Sequence, residues 1–219
     1  MQNETIFFLM LGTFAMFFPI LFLCKQYHIS RWNSILITPV LTVVGTLGTC
    51  LLFYMENRQF GGTSFFGAVF FVPVVFMVVA PLFRIPYGKL MDMCAVGECM
   101  MLAVMRIGCY RSDCCRGRVL FYLKDNSPVV FPNQIAEMIV GIVLLVVLVL
   151  WSRREEKQGK LYIWYMILYG GIRFVLNFFR VDWVDWTGGM IPFGNIWSFI
   201  ALIIGLSALF VTKRLNAKK

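Results

Sequence analysis

The stretch Arg106–Arg118, RIGCYRSDCCRGR, marks the point where an apolar segment gives way to a basic loop. Its charged and thiol-bearing residues are Arg106, Arg111, Arg116 and Arg118, with Cys109, Cys114 and Cys115. Arg106 is the unusual member, because it still lies inside the apolar run. A guanidinium at the centre of a membrane helix costs about 2.5–3.5 kcal/mol or more unless a polar partner or a phosphate meets it. Arg106 is therefore a functional candidate.

The composition around this stretch excludes an ordinary soluble domain. Hydrophobic residues make up 60% of the 219 residues and charged residues only 14%, whereas soluble domains carry about 25% charged residues. The net charge is +9, but no long basic face or aromatic reading surface accompanies it, so we expect no nucleic-acid partner. Basic loops of this kind suit anionic lipid. The sequence predicts an all-α, polytopic membrane protein with one domain over residues 1–219.

Apolar segments predict seven transmembrane helices. They lie at about 5–24, 35–55, 65–83, 90–107, 132–151, 161–180 and 192–212, and each approaches the length of about 20 residues that crosses a bilayer. The fourth is the weakest, because Asp92 and Glu98 interrupt it. No small-residue cleavage motif follows the first segment, which we expect to be a retained helix.

The distribution of lysine and arginine predicts the orientation, because cytoplasmic loops carry the excess of basic residues. An N-terminus outside and a C-terminus in the cytoplasm leave five basic residues in the outer loops and twelve in the inner ones. The five are Arg58, Arg111, Arg116, Arg118 and Lys124. The loop after the fourth helix is the exception to the rule, since it is basic and predicted to lie outside.

Two further outer stretches carry unusual residues. Residues 61–67, GGTSFFG, form a flexible entry into the third helix, on the side that carries the other candidate site residues. The alternative to a functional role is a turn with close helix packing, which glycine often marks in membranes. Residues 131–137, FPNQIAE, begin the fifth helix. Gln134 and Glu137 are three residues apart and therefore share one helix face. The alternative for this pair is a capped and solvated helix end.

The sixth helix carries a polar stripe near its end. Arg173, Asn177 and Arg180 fall at positions i, i+4 and i+7, which places them on one face of a helix. Arg180 can extend its charge to the interface, but Arg173 lies about two turns deeper. An acidic, tryptophan-containing loop at 182–186 follows, and its acids are candidate partners for Arg180.

Together these motifs resemble those of the bacterial prolipoprotein diacylglyceryl transferases. The matching residues are Arg106-Ile107-Gly108-Cys109 with Gly117-Arg118, then Pro132, Gln134 and Glu137, then Arg173 and Arg180, and finally Gly194, Asn195 and Ser198. The resemblance runs from the glycine turn at Gly61 to the seventh helix, in the family's order.

The resemblance implies a function in the bacterial cell membrane. It implies transfer of a diacylglyceryl group from phosphatidylglycerol, or another anionic lipid, to the lipobox cysteine beside a prolipoprotein signal peptide. By the same resemblance Arg106, Arg173 and Glu137 are candidate catalytic residues. Candidate substrate-binding residues are Gly108, Gly117, Arg118, Gln134, Asn177, Arg180 and Phe66.

Departures from the family pattern indicate a divergent, cysteine-rich branch. Phe66-Gly67-Ala68 stands where the family carries His-Gly-Gly, and the lone histidine, His28, is predicted on the inner side. Cys109 and Cys114 replace an asparagine and a glutamate, and Asn177 replaces another glutamate. The remaining candidates for activating a substrate thiol are Glu137 as a base and arginines that lower the thiol pKa from about 8.5.

Two other function classes stay open. One is a membrane thiol or redox protein that uses Cys109, Cys114 and Cys115, since disulfides persist on the outer side of a membrane. The other is a non-catalytic binder of anionic lipid or peptide. We expect no metal or other cofactor, because three cysteines without a nearby histidine do not complete a standard zinc set. The other cysteines, Cys24, Cys50, Cys94 and Cys99, are predicted packing residues.

Overall fold

Seven α-helices are seen in this computed structural model, which describes residues 2–180 and 193–217. They are α1 (Gln2–Gln26), α2 (Trp32–Asn57), α3 (Phe66–Phe83), α4 (Tyr87–Arg111), α5 (Asn133–Ser152), α6 (Leu161–Asn177) and α7 (Phe193–Ala217). Each predicted apolar segment corresponds to one helix, with ends displaced by a few residues. The acidic loop at 182–186 lies outside the described residues.

A small hairpin between α4 and α5 was not predicted. Strand β1 (Val119–Tyr122) pairs antiparallel with β2 (Pro128–Val130). Valine, phenylalanine and tyrosine favour strands, and Asn126 takes the left-handed conformation, with φ of 66°, in the turn. Asp125 accepts hydrogen bonds from the backbone N–H and the hydroxyl of Ser127, at 3.2 and 2.7 Å. The basic loop is therefore a folded element.

Five of the described helices, α1, α2, α3, α5 and α7, are long and apolar enough to cross a membrane. Large apolar side chains remain exposed on them, among them Phe14, Val78 and Leu150. Contiguous apolar surface of this kind is unfavourable in water. The chain is therefore a polytopic membrane protein, while seven crossings and their orientation remain predictions.

Helix α4 lies at the centre of the bundle and packs against α1, α5 and α6. Asp92 and Glu98, which weaken its hydropathy, are both buried. The Tyr27 hydroxyl and the backbone N–H of Gly159 donate hydrogen bonds to Asp92, at 2.8 and 2.6 Å. The Tyr162 hydroxyl donates to Glu98 at 3.0 Å. Because α4 meets protein rather than lipid, its carboxyl groups find polar partners, as intramembrane acids generally do.

Glycines allow α2 and α3 to pack closely. A Cβ added to Gly48 would lie 2.6 Å from the carbonyl oxygen of Gly67, so the two backbones touch. Small residues permit this approach between membrane helices, which supports the packing interpretation of the 61–67 turn.

The cysteines outside the basic loop divide into two groups. Cys24, Cys94 and Cys99 are buried packing residues. The prediction for Cys50 is wrong, because the face of α2 that carries it is exposed in the described structure.

The segment Gly117–Arg118 ties the start of α5 to the end of α6. Gly117 forms an isolated antiparallel bridge with Arg180. The Arg118 N–H donates to the Phe179 carbonyl at 2.8 Å, and the Arg118 carbonyl accepts from the Phe131 N–H at 2.9 Å. Because α4 and α6 end here and α5 begins here, their polar side chains meet at one end of the bundle.

Candidate active site

The buried carboxylate of Glu137 on α5 forms ion pairs with arginines from α4 and α6. Arg106 Nε lies 2.6 Å from Glu137 Oε2. Arg173 forms an ion pair with Oε1 through Nη1, and Arg180 Nη1 lies 4.0 Å from the same oxygen. Glu137 is only 2% exposed, and Arg106 and Arg173 are buried. Within the described residues, the one carboxylate of Glu137 therefore pairs with two buried guanidiniums. Arg180, which also interacts electrostatically with Glu56, lies at the edge.

The first turn of α5 holds this carboxylate in place. Asn133 Nδ2 donates to Glu137 Oε1 at 2.6 Å and lies 3.4 Å from the Cys115 carbonyl oxygen. Gln134 Nε2 donates to the Cys114 carbonyl at 2.7 Å. Because Gln134 and Glu137 are buried, the solvated helix end considered from sequence is excluded. Asn133 was not assigned a role from sequence, although its position four residues before Glu137 is a signal for contact.

The cysteines of the basic loop form a cluster. The Sγ atoms of Cys109, Cys114 and Cys115 all lie within 4.8 Å of one another, and all three residues are half-buried. Arg106 Nη1 donates to Cys109 Sγ at 3.6 Å, and the Ser112 hydroxyl donates to Cys114 Sγ at 3.4 Å. The cluster and the arginine site are therefore one continuous structure.

The backbone of the cysteine loop is strained. Asp113 and Cys115 have φ of 54° and 58°, in the left-handed region. Aspartate visits this region through local hydrogen bonds of its side chain, whereas for cysteine the conformation costs about 1–2 kcal/mol. This turn brings the three sulfurs together. Hydrogen bonds with the Cys109 and Cys114 thiols, together with the positive charges of Arg180 and Arg106, lower the pKa of the Cys115 thiol despite its burial.

Two of the predicted substrate-binding residues, Asn177 and Gly108, contact neighbouring helices. Asn177 Nδ2 donates to Ser198 Oγ at 3.3 Å and so points toward α7. A Cβ on Gly108 would lie 2.8 Å from the ring of Phe8, so this glycine serves the packing of α4 on α1.

The prediction that Arg180 belongs to the polar stripe of the sixth helix is wrong. Helix α6 ends at Asn177, so Arg180 follows three residues later in the segment that pairs with Gly117. It reaches Glu137 from outside the helix, and its predicted acidic partners at 182–186 lie outside the described residues.

An aromatic pair lies beside the arginines. Phe66 packs on Tyr169 with ring centroids 5.3 Å apart. Tyr169 is buried one turn before Arg173, and its hydroxyl has no hydrogen-bond partner within the described structure. Sequence reasoning did not select Tyr169, although its i, i+4 relation to Arg173 indicates a shared face.

Comparison with known proteins identifies the family. The family model for prolipoprotein diacylglyceryl transferase matches residues 7–211, so the chain belongs to this family and the predicted resemblance is confirmed. The cysteine-rich branch remains a prediction.

Similar proteins are phosphatidylglycerol–prolipoprotein diacylglyceryl transferases. That of Clostridium tetani is 29% identical over 136 residues, which are 56% of this chain and 52% of the relative. That of Geobacter sulfurreducens is 28% identical over 70% of this chain and 63% of the relative. That of Mannheimia succiniciproducens is 30% identical over 72% of this chain and 62% of the relative. The chain thus spans between half and two thirds of these relatives' length.

Proposed function

We propose that this family member transfers a diacylglyceryl group from phosphatidylglycerol to the lipobox cysteine thiol of a prolipoprotein. The observation that carries the proposal is the pairing of Arg106 and Arg173 with the single carboxylate of Glu137. One carboxylate offsets one of these two charges, and a buried charge is costly without a further anion. Guanidinium binds phosphate with two parallel hydrogen bonds, and a phospholipid headgroup presents a phosphate at a membrane surface.

The arginines would act on the leaving group. In the proposed reaction the substrate sulfur attacks the glycerol carbon that carries the phosphate ester. A C–S bond forms, the C–O bond breaks, and the electron pair leaves with glycerol phosphate. Arg106 and Arg173 stabilise the charge that develops on the phosphate, and loss of one such donor typically costs about 2.7–4 kcal/mol in the transition state.

Glu137 has a positioning role in this proposal. Its two oxygens already face Arg106 and Arg173, and Asn133 donates to it at 2.6 Å. Such contacts stabilise the ionised carboxylate and weaken it as a base. Glu137 therefore fixes the two guanidiniums for phosphate binding, and another group must take the proton of the substrate thiol.

We also propose the topology that this reaction needs. With seven crossings and an outer N-terminus, the arginine site lies at the outer end of the bundle. Helices α4 and α6 would cross within the protein, where α4 is largely buried. The bacterial relatives favour the bacterial cytoplasmic membrane as the location.

A transfer assay tests the proposal. Purified protein in detergent receives phosphatidylglycerol and a synthetic lipobox peptide, and mass spectrometry follows the peptide. We expect a mass increase of one diacylglyceryl group, absent for the same peptide with serine in place of cysteine. Arg106→Lys should lower the rate by about 10²-fold or more. Lysine keeps the positive charge but cannot form the two parallel hydrogen bonds that a guanidinium makes with a phosphate. The exposed Arg111→Lys serves as the control. Lipid binding without transfer would instead establish the non-catalytic binder.

The proximity of the three cysteine sulfurs favours a second candidate function, a membrane thiol protein. Its readout is a reversible disulfide among Cys109, Cys114 and Cys115 in protein isolated without reductant. Mass spectrometry that finds all three thiols free removes this candidate.

A further inference from the structure

The cysteine cluster has the dimensions of a metal site. Zinc binds thiolates at about 2.3 Å in tetrahedral geometry, which places neighbouring sulfurs about 3.8 Å apart. The three Sγ atoms lie within 4.8 Å of one another, so a small closure of the loop brings them to that spacing. Catalytic zinc sites have three protein ligands and keep the fourth position open.

We propose that Cys109, Cys114 and Cys115 bind one zinc ion as thiolates, and that its fourth position takes the thiol of the acceptor peptide. The three-sulfur site stands on geometry alone, whereas the fourth ligand rests on the proposed transfer to a cysteine thiol. This inference revises the expectation from sequence that the cysteines would not hold a metal. Without a nearby histidine the zinc has three protein ligands and one open coordination position. A substrate thiol needs such an open position in order to bind the metal.

The surrounding structure fits the charge of such a centre. Three thiolates and one Zn²⁺ carry a net charge of about −1, and a fourth thiolate makes it more negative. Arg106 Nη1 already donates to the Cys109 sulfur at 3.6 Å, and hydrogen bonds from a cation stabilise a thiolate. The carbonyls of Cys114 and Cys115 are held by Gln134 and Asn133 on α5, so the loop is fixed beside the phosphate-binding arginines.

The zinc would supply the step for which Glu137 is unsuited. A thiol that coordinates zinc is deprotonated outright, so the S–H bond of the peptide breaks, a Zn–S bond forms and the proton passes to water. The bound sulfur then attacks the glycerol carbon, and the electron pair of the broken C–O bond leaves with glycerol phosphate. The thioether product is neutral and a weaker ligand, so it dissociates. No oxidant or reductant takes part.

Cobalt substitution tests the three-sulfur site. Reduced, full-length protein in detergent is titrated with Co²⁺, whose thiolate charge-transfer and tetrahedral visible bands report the ligands. We expect about one tetrahedral Co²⁺ per chain, also in Cys50→Ser, which changes an exposed cysteine elsewhere. Cys114→Ser and Cys115→Ser should bind at least about 100-fold more weakly, more than the loss of an outer-shell contact costs. A variant is compared with the wild type only when its circular dichroism spectrum and its elution volume in size-exclusion chromatography equal those of the wild type, which shows that it is folded.

Three results would overturn the inference. Absence of thiolate bands in the reduced wild type would do so, and so would equal bands in the serine variants. A disulfide within the cluster in native protein would also exclude the metal.

Addition of the peptide tests the fourth position separately. The lipobox peptide should shift the Co²⁺ bands toward four sulfurs, and the serine peptide should not; an unchanged spectrum refutes the fourth-ligand role. Co²⁺ binding without any lipid transfer would refute the proposed function and retain the metal site. Transfer by protein that binds no metal would refute the metal site and retain the proposed function.

Discussion

Arg106 on α4 and Glu137 on α5 form a buried ion pair, with 2.6 Å between Nε and Oε2. The pair joins the central helix of the bundle to one of the long apolar helices. Because Arg173 reaches the other oxygen of the same carboxylate, Glu137 is the shared counter-ion of two arginines from separate helices. Its removal would leave both guanidiniums buried without this counter-ion.

Glu137→Gln should therefore destabilise the fold strongly. The loss of one partner from a buried ion pair typically costs about 3–5 kcal/mol, and here two arginines lose their partner. Thermal unfolding in detergent should show a clearly lower midpoint for this variant. Glu155→Gln, at an exposed residue, should leave the midpoint unchanged. Equal midpoints for the two variants would show that the buried pair is not an anchor of the bundle.

The α2–α3 contact gives a second stability test. Gly67→Ala places a methyl group against the backbone of Gly48, and such overpacking typically costs about 1–3 kcal/mol. Gly171→Ala is the matched control, because a Cβ there meets nothing within 4 Å. We expect the first substitution to lower the unfolding midpoint and the second to leave it unchanged or raise it. If Gly67→Ala is as stable as the control, the helices are not in close contact.

Asp92 gives a third test, at the opposite end of the bundle. Its carboxylate accepts from Tyr27 and from the backbone N–H groups of Gly159 and Leu161, at 2.6–2.8 Å. Asp92→Ala leaves these donors unpaired, at about 1–3 kcal/mol for each buried group. Asp125→Ala, in the exposed hairpin turn, should be nearly neutral. Hydrogen exchange that stays slow at Gly159 and Leu161 in Asp92→Ala would count against this role.

The orientation has its own test. A tag fused after Lys219 should stay protected from membrane-impermeant reagents in intact cells, because the excess of basic residues predicts a cytoplasmic C-terminus. A tag inserted between Lys124 and Asn126 in the hairpin should be labelled. Labelling of the C-terminal tag from outside would refute the predicted topology.

The helices could be predicted because their apolar lengths are imposed by the bilayer. Arg106 could be recognised as unusual because a charge is conspicuous inside an apolar run, and the structure shows that it is buried. Helix α4 was the weakest prediction because hydropathy does not distinguish a helix that faces lipid from one that faces protein. The partners of Asp92 and Glu98 come from distant segments, and only the tertiary structure brings them together.

The cysteine cluster could not be predicted from spacing. The left-handed residues Asp113 and Cys115 fold the loop back on itself, and cysteine is not a residue type that signals such a turn. The end of α6 at Asn177 was not predicted either. Arg173, Asn177 and Arg180 keep the helical spacing of polar residues, although the helix itself ends before Arg180. Both features depend on long-range contacts: Asn133 and Gln134 of α5 hold the cysteine loop, and Gly117 pairs with Arg180 beyond the end of α6.

The central claim, that Arg106 and Arg173 hold a lipid phosphate, is tested most directly by native mass spectrometry with defined lipids. The purified protein should retain phosphatidylglycerol in preference to a diacylglycerol with the same acyl chains, because only the former carries the phosphate. Arg106→Lys should weaken this retention by about tenfold or more, the effect of losing about 1.4 kcal/mol, while Arg111→Lys should not change it. Equal retention of the two lipids, or phosphatidylglycerol binding unchanged in Arg106→Lys, would contradict the assignment of the arginines to a phosphate site.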